Sequence, residues 1–367
     1  MGIFASRVDN ARRGAEPRGA IDRVKARRWN AFGRWRGVLG PCLAFFLGAT
    51  ACLAEPLRIA LFHTELNRKA PGLLYRDIVS GAPDIAQRVD RIVQAHPDVL
   101  VLLGFDYDFH GLALTAFAHR IRDAGGPDFR HQFALHPNTG LATGLDLDGD
   151  GRLGTPRDAQ GFGRYSGEGG MAVLSRIPIG ADAATDFSQI IWSELPWARL
   201  PQVSGAPFYD EQTQRVLRLS SVGHWVVPIE IGGSLDLLVF HATPPVFDGP
   251  EDRNGFRNAD EIRFWAKFLD GPHAPSVVIG DANQDPDIGE GQRDAIQSSL
   301  AHPDLADPLA GSPTVDWSGI DLGLRRVDYI LPTKDLTLAG SGLVWPEDDT
   351  SETSRHALIW VDLVAPP

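Results

Sequence analysis

Short apolar runs alternate along the chain with segments in which apolar residues recur at every third or fourth position. Continuous runs of four to eight apolar residues are typical of buried strands, and the three-to-four spacing is typical of helices. The pattern predicts strands at residues 57–62, 98–103, 171–174, 217–231, 235–241, 277–280, 327–331 and 357–362, and helices at 85–95, 112–124 and 260–269. It also predicts a hairpin across Gly232 and Gly233.

The segment 138–170 is rich in glycine and aspartate and predicts a long loop, which in a compact domain usually carries function. No repeat, low-complexity tract or change of composition divides residues 55–367. These patterns predict one α/β domain, with two β-sheets packed face to face and helices outside.

Residues 1–54 have a different pattern. A basic, arginine-rich start is followed by an apolar run at 38–54 that is broken by Pro41, and the run ends in small residues around Ala51 and Ala54. This order predicts a signal peptide, hence export to the periplasm or beyond, with cleavage after Ala51 or after Ala54. The run is too short to span a membrane comfortably, so no membrane span is expected in the mature protein.

Removing the leader changes the charge and the cysteine content. It holds ten Lys/Arg and three Asp/Glu, so the remainder has 25 basic and 44 acidic side chains, a net charge of about −19 with His neutral. Such a surface repels phosphate backbones, which argues against duplex nucleic acid as a partner. Both cysteines, Cys42 and Cys52, lie in the leader, so no disulfide is expected.

Polar residues stand at the ends of three apolar runs near the C-terminus. Asp281 and Asn283 follow residues 277–280, Asp328 opens 327–331, and His356 precedes 357–362. Strand ends bring distant residues into one site in layered α/β proteins, and this set suits metal-assisted phosphoester hydrolysis. The alternatives are an Asx turn at Asp281 and Asn283, and a histidine at His241 that only satisfies a strand end.

Two other segments carry candidate ligands. Residues 241–263 are dense in polar groups, and Arg253, Asn254 and Arg257 would either bind the phosphate of a substrate or stabilise their own loop. Asp146, Asp148 and Asp150 alternate around a turn glycine as in a Ca²⁺ loop, although loop position 12 is Arg157 instead of glutamate. A structural Ca²⁺ site and a plain Asp-Gly turn are both consistent with that segment.

The order of motifs resembles the endonuclease/exonuclease/phosphatase superfamily, in particular a secreted bacterial branch. It runs PDVLVLLGFDYD, GGMAVLSR, HATPPVFDGPEDRNGFRNADEIRFW, GDANQDP, RRVDYILP and SRHALIW, across residues 57–363. The resemblance implies a four-layer α/β sandwich and cleavage of phosphoesters with Mg²⁺ or Mn²⁺. It further implies that Asp281 and Asn283 contact metal and phosphate, that Asp328 orients the proton-transferring His356, and that His241 contacts the phosphate.

Three positions depart from the family pattern. His63 stands where the family has an asparagine, Gly104 where it has a metal-binding glutamate, and Arg355 where it has an aspartate. Mg²⁺ sites use at least one or two carboxylates, so Asp281 is left as the main anionic ligand, with His63 suited to a softer ion such as Zn²⁺.

The leading hypothesis is an exported, metal-dependent hydrolase of small or exposed phosphoesters with altered activity. The alternative is an inactive descendant that serves as a binding or scaffold protein, with Arg355 holding an anion in the place of the metal.

Overall fold

The computed structural model describes residues 55–347 and 354–364. The predicted signal peptide at 1–54 lies outside the described residues, so export remains a prediction. Within the described part of the chain, no helix is both long enough and apolar enough to cross a membrane.

Fifteen strands and six α-helices make up this part of the chain. The strands are β1 Leu57–Leu66, β2 Val99–Phe105, β3 His131–Phe133, β4 Gly170–Ser175, β5 Thr185–Asp186, β6 Gln202–Val203, β7 Ala206–Pro207, β8 Gly223–Glu230, β9 Ser234–His241, β10 Ser276–Asp281, β11 Val315–Trp317, β12 Gly323–Arg325, β13 Asp328–Pro332, β14 Thr337–Val344 and β15 Leu358–Val364. The helices are α1 Leu73–Ser80, α2 Pro83–Ala95, α3 Leu112–Asp123, α4 Glu211–Gln214, α5 Arg253–Leu269 and α6 Asp294–Leu300.

Two mixed sheets dominate the fold, as the sequence predicts. The first has six strands in the order β14-β15-β1-β2-β4-β3, and the second has five in the order β13-β10-β9-β8-β5. β8 and β9 form the predicted antiparallel hairpin. β6 with β7 and β11 with β12 form small separate ribbons.

The core lies between the two sheets, where side chains of β1 and β2 meet those of β8, β9 and β10. β2 is buried along its whole length, because helices cover the face that points away from the core. A second apolar layer packs α5 and α6 against the outer face of the five-stranded sheet. Burial on both faces explains why the strands of this fold read as continuous apolar runs.

Two predicted boundaries are wrong. The strand predicted at 217–231 is regular only over β8, because the Ser221 N–H donates to the Glu261 carboxylate at 2.6 Å instead of to a neighbouring strand. The helix predicted at 260–269 begins two turns earlier, at Arg253. Its first turn contains Arg253, Asn254 and Gly255, which carry little helical signal.

Candidate active site

Strand register places three predicted site residues side by side on the five-stranded sheet. Asp281, at the end of β10, is paired with His241 of β9 on one side and with Asp328 of β13 on the other. Each residue ends or begins a buried strand, so the three residues form a row at one end of the strands. The imidazole Nε2 of His241 is 3.8 Å from Oδ2 of Asp281.

The six-stranded sheet supplies the opposite side of the site with two histidines. His63 lies near the end of β1, and His356 lies two residues before β15. Ser354 joins them, since its hydroxyl donates to the carbonyl of His63 at 2.7 Å and accepts the N–H of His356 at 3.2 Å. Arg91, buried on α2, donates to the carbonyl of His356 at 2.8 Å and fixes the segment from below.

Two histidine–aspartate pairs therefore meet at the junction of the sheets. Nδ1 of His63 is 2.8 Å from Oδ2 of Asp281, and Nδ1 of His356 is 2.8 Å from Oδ2 of Asp328. The two imidazole rings lie 4.2 Å apart, centroid to centroid. These four residues each offer a ligand atom, and all four atoms lie within 4.8 Å of one another. Four predicted residues are thus brought together from four separate parts of the chain.

Charge and burial shift the pKa values of His356 and His241 in opposite directions. Although burial disfavours the imidazolium, the carboxylates of Asp328, Asp281 and Glu65 raise the pKa of His356 to about 9. Burial, reinforced by His63, lowers the pKa of His241 to about 3, so this ring is neutral. One histidine is therefore set to carry a proton, and its neighbour is set to accept or coordinate without charge.

The two aspartates are also shifted in opposite directions. Burial raises the pKa of Asp328 despite the neighbouring His356. For Asp281, the burial that would raise the pKa is outweighed by the hydrogen bond and electrostatic attraction from His63, so its pKa is lowered. Asp281 is the site's firmly ionised carboxylate.

Asn283 closes the strand end beside Asp281. Its backbone has a φ of 49°, and its N–H donates to Oδ1 of Asp281 at 2.6 Å. Its side-chain amide donates to the carbonyl of Ala242 at 2.9 Å, next to His241. The predicted Asx turn is therefore present, and it positions Asp281 within the site.

Gly104 and His63 share one small space. Gly104 has a φ of +63°, and a Cβ added to it would lie 2.8 Å from Cδ2 and Nε2 of the His63 ring. The imidazole thus fills the volume into which a side chain at position 104 would project. A side chain at position 104 would therefore require the His63 ring to move.

Arg355 turns its side chain to Glu65, a residue that sequence reasoning missed. The guanidinium donates from Nη2 to Oε1 of Glu65 at 2.6 Å, and the Arg355 N–H donates to Oε2 at 2.9 Å. Burial raises the pKa of Glu65, but His356, His63 and Arg355 together bring it down to about 2. The sequence offers no spacing signal for this pair, because the two residues are 290 positions apart.

Two aspartates in the loop that follows β2 bind backbone N–H groups. Asp106 accepts the N–H groups of Arg68 and Gly169, at 2.8 and 2.9 Å. Asp108 accepts the N–H groups of Leu112 and Ala113 at the start of α3. Both carboxylates therefore accept hydrogen bonds from backbone N–H groups.

A buried polar network, also missed from the sequence, holds β9 from behind. Glu261 of α5 is fully buried and accepts the N–H and hydroxyl of Ser221 and the N–H of Thr243, two residues beyond His241. Burial raises its pKa to about 7. Asn258, one turn earlier on α5, donates to the carbonyls of Thr243 and Ala282 at 2.7 Å. These contacts fix the strand ends that carry His241 and Asp281.

The three predicted substrate-binding residues, Arg253, Asn254 and Arg257, line one cavity of about 450 Å³. Its wall includes Thr243 and Pro244, just beyond His241. Their polar atoms are largely engaged within the protein: Arg253 pairs with Glu251, the Asn254 amide donates to the carbonyl of Val246, and the buried Arg257 donates to four backbone carbonyls. The geometry thus gives Arg257 a structural task, and the binding role of the three stays a prediction.

The predicted Ca²⁺ loop brings together Asp146, Asp148 and Asp158, whereas Asp150 is outside that group. Asp146 accepts the N–H groups of Gly149 and Gly151 at 2.7 and 2.8 Å. The turn is therefore formed by its own backbone hydrogen bonds, and a Ca²⁺ ion there stays a prediction.

The donor atoms of the site decide which metal it suits. Mg²⁺ prefers oxygen ligands in octahedral geometry, with carboxylates among them. Here both oxygens of Asp281 accept hydrogen bonds, and position 104 offers no carboxylate. Asp281 and Asp328 still offer two carboxylates beside the imidazoles, because an oxygen that accepts one hydrogen bond keeps a second lone pair. The residues therefore fit a divalent ion bound by oxygen together with imidazole nitrogen.

Comparison with known proteins gives a family and a fold. A sequence profile described as "Endonuclease/Exonuclease/phosphatase family" matches residues 79–356. One similar solved structure is an endonuclease/exonuclease/phosphatase family protein from Leptotrichia buccalis C-1013-b, 17% identical over 84% of this chain and 99% of that one, with a TM-score of 0.50. Another is an endonuclease/exonuclease/phosphatase from Beutenbergia cavernae DSM 12333, 18% identical over 84% of this chain and 72% of that one, with a TM-score of 0.50. No curated protein matches.

Proposed function

The chain belongs to the endonuclease/exonuclease/phosphatase family, and from that premise we propose that it is an exported, divalent-metal-dependent hydrolase of small or exposed phosphoesters. Hydrolysis of phosphoesters with the help of a divalent metal is general in this family. The observation that carries the proposal is the convergence of His63, Asp281, Asp328 and His356 from four chain segments. A structural role alone does not require two buried histidine–aspartate pairs in contact.

In this proposal, His356 carries the proton that is transferred during hydrolysis. Asp328 holds Nδ1 of its ring at 2.8 Å, which fixes the tautomer and leaves Nε2 for the substrate or for water. His241 is neutral and lies beside the ionised Asp281, where it can donate a hydrogen bond to a phosphate oxygen. A bound divalent ion would neutralise phosphate charge and lower the pKa of a water molecule.

The substrate class follows from charge and shape. The sequence beyond residue 54 has a net charge of about −19, which disfavours long duplexes with their many phosphates. The cavity beside His241 holds about 450 Å³ and is lined by apolar and basic side chains, among them Leu147, Tyr209 and Arg157. A single phosphate on a small, partly apolar group matches these features better than a duplex does.

The test is hydrolysis of 4-nitrophenyl phosphate and bis(4-nitrophenyl) phosphate by the full-length protein, with Mg²⁺, Mn²⁺, Ca²⁺, Zn²⁺ or a chelator. Metal-dependent turnover of either ester is expected. The variant His356→Asn should lower kcat by about 10²- to 10⁴-fold because it removes the proton-transfer group. The matched control is His119→Asn, which changes an exposed histidine on α3 and should leave kcat unaltered. Full activity in a folded His356→Asn protein would refute the assignment.

A second candidate function is binding without catalysis. It is favoured by Arg355, whose guanidinium is half exposed at the edge of the site and already binds a carboxylate, that of Glu65. A protein of this kind would bind inorganic phosphate with or without chelator and would hydrolyse neither ester under any of the metal conditions. Chelator-sensitive turnover would exclude it.

A further inference from the structure

The cavity that begins two residues beyond His241 has room for more than a phosphate. It holds about 450 Å³, and Thr243 and Pro244 form part of its wall. Two residues of extended chain span at most about 7 Å, so a phosphate that contacts His241 can direct its ester group into the cavity. Pockets of this size bind small organic molecules and bury most of their surface.

The lining of the cavity is largely apolar. Three of its residues carry aromatic rings, Phe162, Tyr209 and Phe247, and others are aliphatic, such as Leu147 and Leu217. Aromatic side chains pack favourably against the rings of a ligand, either edge to face or stacked with an offset. The lining therefore matches an apolar group that contains a ring.

Two of these aromatic residues are also exposed to solvent. The exposed fraction is 67% for Phe162 and 77% for Phe247, although both line the cavity. Apolar surface in water is unfavourable, and a ligand that covers it gains free energy. The two phenylalanines therefore offer a bound group contacts that the protein itself does not use.

The backbone that presents these two phenylalanines is constrained. Phe247 has a φ of 68°, a left-handed conformation that glycine adopts far more readily. Phe162 lies between two glycines: a Cβ at Gly161 would overlap the carbonyl of Ser221, and one at Gly163 would lie 2.6 Å from a backbone nitrogen. Strained residues of this kind cluster at ligand-binding sites.

The charged side chains of the cavity favour an uncharged ligand group. Arg253 pairs with Glu251, and Arg157 lies 3.6 Å from Asp148. The buried Arg257 donates to backbone carbonyls. Since each of these guanidinium groups already has a partner, a second anionic group on the ligand would have to displace one.

A second cavity, of about 460 Å³, adjoins the first. Three residues line both cavities: Arg157, Phe247 and Arg253. The second cavity is also lined by three carboxylates, those of Asp148, Asp150 and Asp248. These carboxylates repel an anionic group at the far end of a ligand. The end of the ligand that reaches them is therefore uncharged.

From these observations we infer that the cavity is a binding site for an uncharged apolar group that contains a ring, and that Phe162 and Phe247 determine this specificity by contacting it. The inference rests on the proposed function only in making this group the alcohol part of the phosphoester. The substrates are then phosphate esters of bulky, ring-bearing alcohols, in preference to esters of glycerol or of sugars.

The first experiment measures binding without catalysis. Full-length protein in chelator is titrated by calorimetry with 2-naphthol and, for comparison, with myo-inositol, a polar ring. We expect one 2-naphthol bound per chain and no measurable binding of myo-inositol. Phe247→Gly and Phe162→Ala should each weaken 2-naphthol binding about 5- to 30-fold, because each removes one aromatic ring from the lining.

The variants at position 247 separate a role in binding from a role in folding. Glycine relieves the left-handed backbone, so Phe247→Gly should not lower the free energy of unfolding although it weakens binding. Phe247→Trp keeps an aromatic ring and should retain 2-naphthol affinity. The matched control is Phe109→Ala, which removes a phenylalanine that is 84% exposed and outside the cavity lining, and should leave affinity unchanged.

The second experiment compares phenyl and 2-naphthyl esters of the class that the protein cleaves, with the metal that supports turnover. The two leaving groups have similar acidity, so a difference in kcat/KM reports the size of the apolar group. We expect a higher kcat/KM for the 2-naphthyl ester, and loss of that preference in Phe247→Gly.

The inference is overturned if 2-naphthol does not bind, if Phe247→Gly and Phe162→Ala both leave its affinity unchanged, or if Phe109→Ala weakens it equally. A loss of stability in Phe247→Gly with unchanged affinity would give the ring a structural role instead. Binding of 2-naphthol at the cavity by a protein that hydrolyses no ester would refute the proposed function and leave the ligand class of the cavity intact. Equal kcat/KM for the two esters without 2-naphthol binding would do the reverse.

Discussion

The five-stranded sheet contributes His241, Asp281 and Asp328 to the site as a regular row, whereas the six-stranded sheet contributes His63 and Gly104 from an irregular edge. On the first side, neighbouring residues of β9, β10 and β13 are paired in register. On the second, the pairing of β1 with β2 is shifted between His63 and Leu66, and that of β2 with β4 is shifted around Gly104. Gly104 and Glu65, both at positive φ, and Arg355, which pairs with Glu65, belong to the second side.

The difference shows how a site changes while its fold persists. In a regular row, the backbone of each residue is paired in register with a neighbouring strand, so a shift at one position would displace the others. At an edge with shifted pairing and residues at positive φ, such as Glu65 and Gly104, backbone position and side-chain space can change together. At positions 63 and 104, a change in one residue therefore alters the space of the other, whereas Asp281 and Asp328 are held in register.

The largest effect is expected at the regular row. Asp328→Asn keeps the shape of the side chain but removes the charge that fixes and protonates His356, so hydrolysis should fall by about 10²- to 10⁴-fold. Steady-state kinetics on the ester that the protein cleaves give the value, with His119→Asn as control. A folded variant that is as active as the unmodified protein would show that the regular row does not carry the catalytic residues.

A stability effect of the next size is expected at the irregular edge. Gly104→Glu introduces a side chain at a φ of +63° and drives it against His63, so the free energy of unfolding should fall by about 2–4 kcal/mol. In the double variant His63→Asn/Gly104→Glu the contact is relieved, and about 1 kcal/mol or more should be regained as coupling between the two positions. Urea denaturation of the four proteins in chelator measures both quantities. Strictly additive losses of unfolding free energy would show that the two positions are not coupled.

The pH dependence of stability tests the charge state of the site in the absence of metal. The pKa of His356 is about 9 in the folded protein, above the ordinary 6.5, so its protonated form is favoured by folding. That stabilisation is complete below about pH 6.5 and is lost as the pH rises through 9. In chelator, the unmodified protein should therefore lose up to about 3 kcal/mol relative to His356→Asn between these pH values. A constant difference between the two proteins from pH 6 to 9.5 would contradict this charge assignment.

Much of the regular row could be predicted from the sequence, and little of the irregular edge could. Asp281 and Asp328 stand at the boundaries of apolar runs, and strand ends gather at one edge of a sheet. The partners of His63 and Arg355 depend instead on a shifted register and on the positive φ of Glu65, which a single sequence does not encode in its periodicity.

The sequence does not predict the polar network of Glu261 and Asn258 behind β9, for a different reason. Glu261 lies within the helix predicted at 260–269, but a buried carboxylate gives no sign of its partners in the apolar pattern. The pattern predicts no helix over the two turns before Asp260, so the burial of Arg257 is not predicted either. Arg257 consequently looked like a free phosphate ligand, although its guanidinium is buried against backbone carbonyls. Side chains that satisfy buried backbone groups carry no spacing signal, and only the packed structure reveals them.

The smallest effect is expected at Arg355, which is half exposed. Arg355→Asp removes two side-chain hydrogen bonds to Glu65 and places a second carboxylate beside it, but water screens the pair, so stability should fall by at most about 1 kcal/mol. The same change frees Glu65, whose carboxylate then becomes an oxygen ligand at the irregular edge and should strengthen Mg²⁺ binding severalfold. Arg355→Gln, which removes the charge without adding a carboxylate, separates the two effects. If both variants leave Mg²⁺ affinity unchanged, Glu65 lies outside the reach of the metal.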